Sequence, residues 1–238
     1  MHYNKTSKHT NSITSRENNS WFILHGNPTP IEETINNVKN IPGDASSEIP
    51  VLYFPHTVFR QANLDGFANI VKEIRRWVPL KGSCIELYAG VGTIGLNLVD
   101  LVESISCSDE NPNNSACFHH SLAGLSRSLQ LRAQYASESA AVVATSTGLR
   151  HCDYVIVDPP RKGLDTEVLD ALCDTTGDAT TLPLRLIYVS CGFKAFQRDC
   201  ARLIEHDWSL VHAEGHILFP GADHIEILAI FDRCSDYI

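Results

Sequence analysis

The apolar run Arg185-Leu-Ile-Tyr-Val-Ser190 delivers a cysteine, Cys191, at its end, directly before Gly192. Taken alone, a thiol at the end of a buried strand is most simply a small apolar filler. A second acid-bearing run changes that reading. Tyr154-Val-Ile-Val157 ends in Asp158-Pro-Pro-Arg161, so that in a sheet of parallel strands Asp158 and Cys191 reach the same carboxyl edge. A helix opening after Gly192 would set its amino-terminal dipole beside the thiol and lower its pKa, which makes a poised thiolate an expectation.

Gly90-Val-Gly92-Thr-Ile-Gly95 fits G-x-G-x-x-G between a strand and a helix, with Asp109 nineteen residues past the first glycine. Glycines let a backbone approach a ligand closely, and an acid ending the second strand can hold ribose hydroxyls. NAD, FAD and S-adenosylmethionine sites share both features. Without a ligand, the same residues make a tight turn and a helix cap ahead of Asn111-Pro112. Two details favour S-adenosylmethionine: Glu86, four residues before Gly90, suits a cationic methionine portion and would repel a pyrophosphate, and Asp158-Pro-Pro forms a rigid ledge at the ligand-binding edge. A nicotinamide-dependent oxidoreductase rests on the glycine turn alone.

The elements that must position these residues read as follows. Leu64, Phe67, Ile70, Val71, Ile74 and Trp77 recur at helical spacing until Pro79 and Gly82 end the stretch. A strand over Cys84-Ile-Glu-Leu-Tyr-Ala follows, then the glycine turn, an apolar helix over residues 93–101, a strand over 104–108 and a helix over about 113–125. Residues 154–157 and 184–190 read as buried strands, with a helix near 196–204 and a last strand over 225–231. Alternating strands and helices predict an α/β fold, a doubly wound, mostly parallel sheet.

With 238 residues the chain is long enough for a sizeable core, as one domain or one domain with an appendage. Residues 1–20, rich in Asn, Ser, Thr and Lys, read as a disordered tail, and 21–53 as an irregular segment or the remnant of a small sheet. No apolar run approaches the roughly 18 residues that cross a bilayer, so no membrane association is expected. The eight cysteines include no C-x-x-C pair, which argues against a metal site and points to free thiols in a reducing, intracellular compartment, cytoplasmic or organellar. A net charge of −9 argues against a broad electropositive face, so any nucleic-acid contact must be local, near groups such as Arg161 with Lys162, or Lys194 with Arg198.

Phe219-Pro-Gly-Ala-Asp-His224-Ile-Glu226 leads into the last strand; singly, Glu226 is an edge charge and His224 a surface residue. In order along the chain, Phe59-Arg-Gln61-Ala-Asn63, Asp158-Pro-Pro-Arg161-Lys-Gly163, Tyr188-Val-Ser-Cys191 and Phe219-Pro with His224-Ile-Glu226 resemble the signature motifs of the RNA uracil-C5 methyltransferase family. The resemblance runs from about residue 50 to 233. It implies a Rossmann-like S-adenosylmethionine-dependent methyltransferase fold over 54–238, with 21–53 as what remains of a central domain and the family's N-terminal RNA-binding region missing.

It further implies S-adenosyl-L-methionine as cofactor, held by Gln61, Tyr88, Gly90, Gly92, Asp109 and Asp158, with Cys191 as nucleophile and Glu226 as proton acceptor. The implied substrate is a uridine in tRNA or rRNA. The chain departs from the family at Gly192-Phe193, where Asn-Pro is usual, and in the stretches 119–124 and 136–138. An alternative is a weakly catalytic or regulatory S-adenosylmethionine-binding subunit that needs an RNA-binding partner protein. Oligomeric state is open.

Overall fold

The periodic stretch after Asn63 forms helix α1 (Leu64–Trp77), capped where the Asn63 side chain accepts the Gly66 N–H at 2.8 Å. It buries Phe67, Ile70, Val71 and Ile74. The computed structural model describes residues 2–4, 21–23, 30–36, 38, 48–56, 58–147, 149–176 and 178–234. Ahead of α1 stand two antiparallel pairs, β1 (His2–Asn4) with β2 (Trp21–Ile23) and β3 (Ile31–Glu33) with β4 (Leu52–Phe54). The tail read over 1–20 lies outside the described residues except for His2–Asn4. Of the segment 21–53, Ile35, Val38 and Leu52 are buried in the same core as α1, so this stretch packs onto the main body.

Seven strands follow: β5 (Ser83–Leu87), β6 (Ser104–Ser108), β7 (Ala133–Ala136), β8 (Tyr154–Val157), β9 (Arg185–Ser190), β10 (Trp208–His216) and β11 (Glu226–Arg233). They form one sheet in the order β10-β11-β9-β8-β5-β6-β7. The strands from β7 to β9 are parallel, and β11 runs antiparallel to both β9 and β10. The helices are α2 (Pro112–Ala123), α3 (Arg127–Gln130), α4 (Ala140–Thr147), α5 (Thr166–Cys173) and α6 (Phe193–Ile204).

β8 shows why the sheet is wound on both faces. All four of its residues are buried, with Tyr154 and Ile156 in the core beneath α1 and α2, and Val155 and Val157 in the core beneath α4, α5 and α6. Strand order reverses between β5 and β8, and in open α/β sheets ligands bind outside the carboxyl ends at such a point. At the opposite end of β9, Arg185 forks onto Asp232 of β11 at 2.6 and 2.8 Å and donates to the Trp77 carbonyl at 2.6 Å. This clasp fixes the β9–β11 register, on which the placement of Glu226 depends.

The helix expected over 93–101 is not an α-helix. Its residues form turns around a 3₁₀ segment, Gly95–Asn97, tied by i→i−3 bonds such as Asn97 N–H to Ile94 O and Leu98 N–H to Gly95 O. Asn97 donates from its side chain to Thr93 O, while its own carbonyl accepts from the buried Arg75 guanidinium, a tertiary demand that outweighs the local apolar pattern. Strands β7 and β10 and helices α4 and α5 were not legible in the sequence. β10 is an edge strand with most residues exposed or half-exposed, so no buried alternation marks it.

Candidate active site

β5 ends at Leu87, and the chain turns sharply through Tyr88 (φ 60°), Gly90 (φ 58°) and Gly92 (φ 83°). Space at the glycines separates their roles. A Cβ at Gly90 would meet nothing within 4 Å, whereas one at Gly92 would lie 2.5 Å from the Phe118 ring and one at Gly95 would collide with the Glu86 carboxylate. Gly90 thus presents bare backbone to the crevice, while the other two let the turn close on its own core.

Asp109, beyond the end of β6, faces this turn. Its Oδ2 accepts the Gly90 N–H at 3.1 Å, and its Oδ1 accepts the Asn111 N–H and the Asn114 amide, each at 2.8 Å. Tyr135 donates to Gly90 O at 2.9 Å from the neighbouring strand. The helix cap is Asn111 rather than Asp109, which leaves Asp109 half-exposed at the switch point. An acid fixed beside open glycine backbone suits a nucleoside with free ribose hydroxyls. The carboxylates of Asp109 and Asp158 at the carboxyl ends of β6 and β8 disfavour a pyrophosphate.

Glu86 is placed differently from expectation. It is 1 % exposed, beneath the turn rather than in the crevice, because it shares the strand face of Cys84 and points at β6. There its carboxylate accepts from Cys107 Sγ at 3.0 Å and from the Gly95 N–H, and burial raises its pKa to about 7. Tyr88 also turns away from the glycines: its ring packs against the second core, its hydroxyl donates to Asp165 Oδ2 at 3.0 Å, and it accepts the Asp165 N–H. Gln61 is half-buried just before α1, and its side-chain oxygen accepts the Ala62 N–H at 3.1 Å. The adjacent Asn63 amide donates to Leu218 O at 2.6 Å, which ties this segment to the β10–β11 connection.

The reactive cluster is assembled by strand register. Ile227 of β11 pairs with Ser190 of β9 at the end of the ladder, so Glu226 and Cys191, the residues just beyond that pair on each chain segment, lie at the same end of it. Asp158 arrives from β8, whose Val157 pairs with Tyr188. Proximity is visible in the electrostatics. Burial first, then the Glu226 and Asp158 charges, push the Cys191 thiol above its ordinary value, with Arg161 opposing them. The lowered thiol pKa expected beside α6 is not what its surroundings favour: desolvation first, then two carboxylates, raise it. Burial raises Glu226 too, against Arg161 and His216, and burial with Glu226 and Glu86 raises Asp158 to about 8.

Two positioning groups escaped sequence reasoning. His216 lies directly opposite Glu226 in the β10–β11 pair; with β10 unread, nothing in the sequence placed it there. Asp199, 0 % exposed on α6, accepts the Leu164 N–H at 2.9 Å and the Tyr188 hydroxyl at 2.8 Å, and it pairs with Arg198 at 2.7 Å. It bolts the helix that follows Cys191 to the loop that follows Asp158. Gly192 lets these loops touch, since a Cβ there would lie 2.5 Å from Arg161 O. His224 is exposed, two residues before Glu226. Among the described residues no group of three or more His, Cys, Asp or Glu side chains is arranged to hold a metal, and no helix is long and apolar enough to cross a membrane.

No protein-family model matches the chain. It is 38 % identical over 180 residues to an uncharacterised RNA methyltransferase of Protochlamydia amoebophila, an alignment covering 76 % of this chain and 45 % of that protein. It is 30 % identical over 177 residues to the 23S rRNA (uracil(1939)-C(5))-methyltransferase RlmD of Chromohalobacter salexigens, covering 74 % of this chain and 35 % of the relative. The chain therefore spans less than half the length of these curated relatives. Its fold matches the Pyrococcus abyssi tRNA (uracil-54, C5)-methyltransferase crystallised with S-adenosyl-L-homocysteine, with a TM-score of 0.67, 22 % identity, and coverage of 89 % of this chain and 45 % of that one. The seven-stranded doubly wound sheet is thus the Rossmann-like methyltransferase fold, and the chain belongs to the RNA uracil-C5 methyltransferase family, of whose members it spans a catalytic domain.

Proposed function

We propose that this chain methylates C5 of a uridine in tRNA or rRNA, using S-adenosyl-L-methionine, with Cys191 as nucleophile and Glu226 as base. What supports the reading is the β9–β11 register, which ends at Ile227 and Ser190, next to Glu226 and Cys191, together with the influence of the Glu226 and Asp158 charges on the Cys191 thiol.

C5 of uracil is a poor nucleophile. Once Cys191 has lost its proton, its sulfur bonds to C6, and the C5–C6 π electrons move to make an enolate across C5, C4 and O4. S-adenosyl-L-methionine, when bound, would supply the electrophilic sulfonium methyl that C5 takes up, its sulfur becoming a neutral thioether. Glu226 then removes the remaining C5 proton, the C5–C6 double bond re-forms, and Cys191 is expelled as thiolate. Arg161, the cation that opposes the local negative charge at both Cys191 and Glu226, offsets the enolate. The Gly90 backbone with Asp109 and Gln61 would hold the nucleoside part of the cofactor, Asp158 would offset its positive charge, and Tyr88 contributes by fixing the Asp165 loop.

The test is transfer of labelled methyl to total tRNA and rRNA from cells lacking 5-methyluridine, comparing the wild type with Cys191→Ala. Formation of 5-methyluridine that disappears in the variant supports the reading; transfer that survives it overturns the role of Cys191. A second reading, a regulatory subunit that binds cofactor but needs an RNA-binding partner protein, is favoured by the net charge of −9 and the raised thiol pKa. Transfer that begins only when a partner is added would support it.

A further inference from the structure

Among the described side chains of Phe, Tyr and Trp, three are exposed: Phe59 at 77 %, Phe193 at 53 % and Phe219 at 43 %. All three lie in segments that carry or adjoin the proposed site residues. Phe59 is two residues before Gln61, Phe193 two residues after Cys191, and Phe219 lies in the connection that delivers Glu226. Ile217 and Ile225 of the same connection are also exposed, at 67 % and 39 %.

Phe193 is the most informative of these. It opens α6, three residues before the buried Phe196, and so continues the apolar stripe of that helix one turn past the end of the core. It stands where the family resemblance puts proline, next to the glycine that allows the turn to lie on Arg161. The nearby cations are Arg161, Lys162 and Lys194, all exposed, with Lys162 paired to Asp165. A chain of net charge −9 cannot hold RNA through a broad field, but flat rings beside a few cations hold unpaired bases well.

We infer that Phe193 is a stacking residue for single-stranded RNA, taking the base next to the reacting uridine, with Phe219 across the site completing the platform. This rests on the RNA reading above. It goes beyond that reading in assigning recognition to the catalytic edge itself, at a position where this chain departs from its family.

The test uses the whole chain and a short single-stranded RNA carrying 5-fluorouridine with 2-aminopurine as its neighbour. Wild type should quench the 2-aminopurine, and Phe193→Ala should lose that quenching and bind about tenfold more weakly, the effect of losing one base stack. Phe193→Trp should restore both, while cofactor binding stays unchanged in both variants. Wild-type covalent adduct with Phe193→Ala binding as tightly as wild type would overturn the stacking inference and leave the methylation reading standing, as for a face that docks a protein. Phe193-dependent quenching without adduct or methyl transfer would support stacking and sink the methylation reading. Absence of RNA binding by wild type would sink both.

Discussion

At Cys191 the sign of the electrostatics sets the pH behaviour. Burial, Glu226 and Asp158 raise the thiol pKa, and Glu226 is itself raised, so both groups that must act deprotonated are more protonated at neutral pH than free side chains. Methyl transfer should therefore rise with pH through and above neutrality. Because Arg161 opposes the shift, Arg161→Ala should move the rising limb to still higher pH, as a pH–rate profile would show; an unmoved limb would detach Arg161 from the thiol. Glu226→Gln should slow turnover by about 10²–10⁴-fold, the usual range for losing a positioned base, and should accumulate protein–RNA adduct on a denaturing gel. Cys191→Ala should form no adduct. The types and order of these residues were legible in the sequence. The direction of the thiol shift was not, because it depends on two carboxylates brought in by other strands.

At the scale of elements, the glycine turn divides into two tests. Gly95→Ala drives a methyl group into the Glu86 carboxylate under a packed turn and should cost about 1–3 kcal/mol of stability by chemical denaturation. Gly90→Ala has room for its methyl but sits at φ 58°, so its stability loss should be about 1 kcal/mol, with the larger effect on cofactor affinity measured by calorimetry. Asp199→Ala leaves the Tyr188 hydroxyl and the Leu164 N–H without their acceptor and should cost about 2–4 kcal/mol while loosening the Asp158 loop. The buried strands β8 and β9 were readable as short continuous apolar runs and helix α1 as a clean helical period, each with clear end signals. The 3₁₀ turn at Gly95–Asn97 was misread as helix, since the residues around it are mostly apolar and buried and only Asn97 and Arg75 reveal the competing bonds. β10 and His216 were unreadable because an exposed edge strand lacks alternation.

For the whole molecule, two buried acids link stability to pH. Glu86, buried, and Asp158, half-buried by surface exposure, are raised in the folded state to about 7 and about 8, so the fold binds protons that the unfolded chain has released. Their contribution is full below the ordinary carboxylate range and is lost as pH rises through 7 to 8. The ligand-free protein should therefore melt at lower temperature at pH 8.5 than at pH 6, roughly a few degrees, and Asp158→Asn should flatten that slope. A slope unchanged by the substitution would remove Asp158 from the account. The central claim is that one sheet edge brings a nucleophile and a base to the same uracil. It is tested most directly by intact mass spectrometry of the protein mixed with S-adenosyl-L-methionine and RNA containing 5-fluorouridine, whose C5 fluorine Glu226 cannot remove as a proton. The account predicts one RNA bound covalently per wild-type chain, bearing the transferred methyl, and none on Cys191→Ala. Methylation of ordinary uridine RNA with no such adduct on wild type would contradict it.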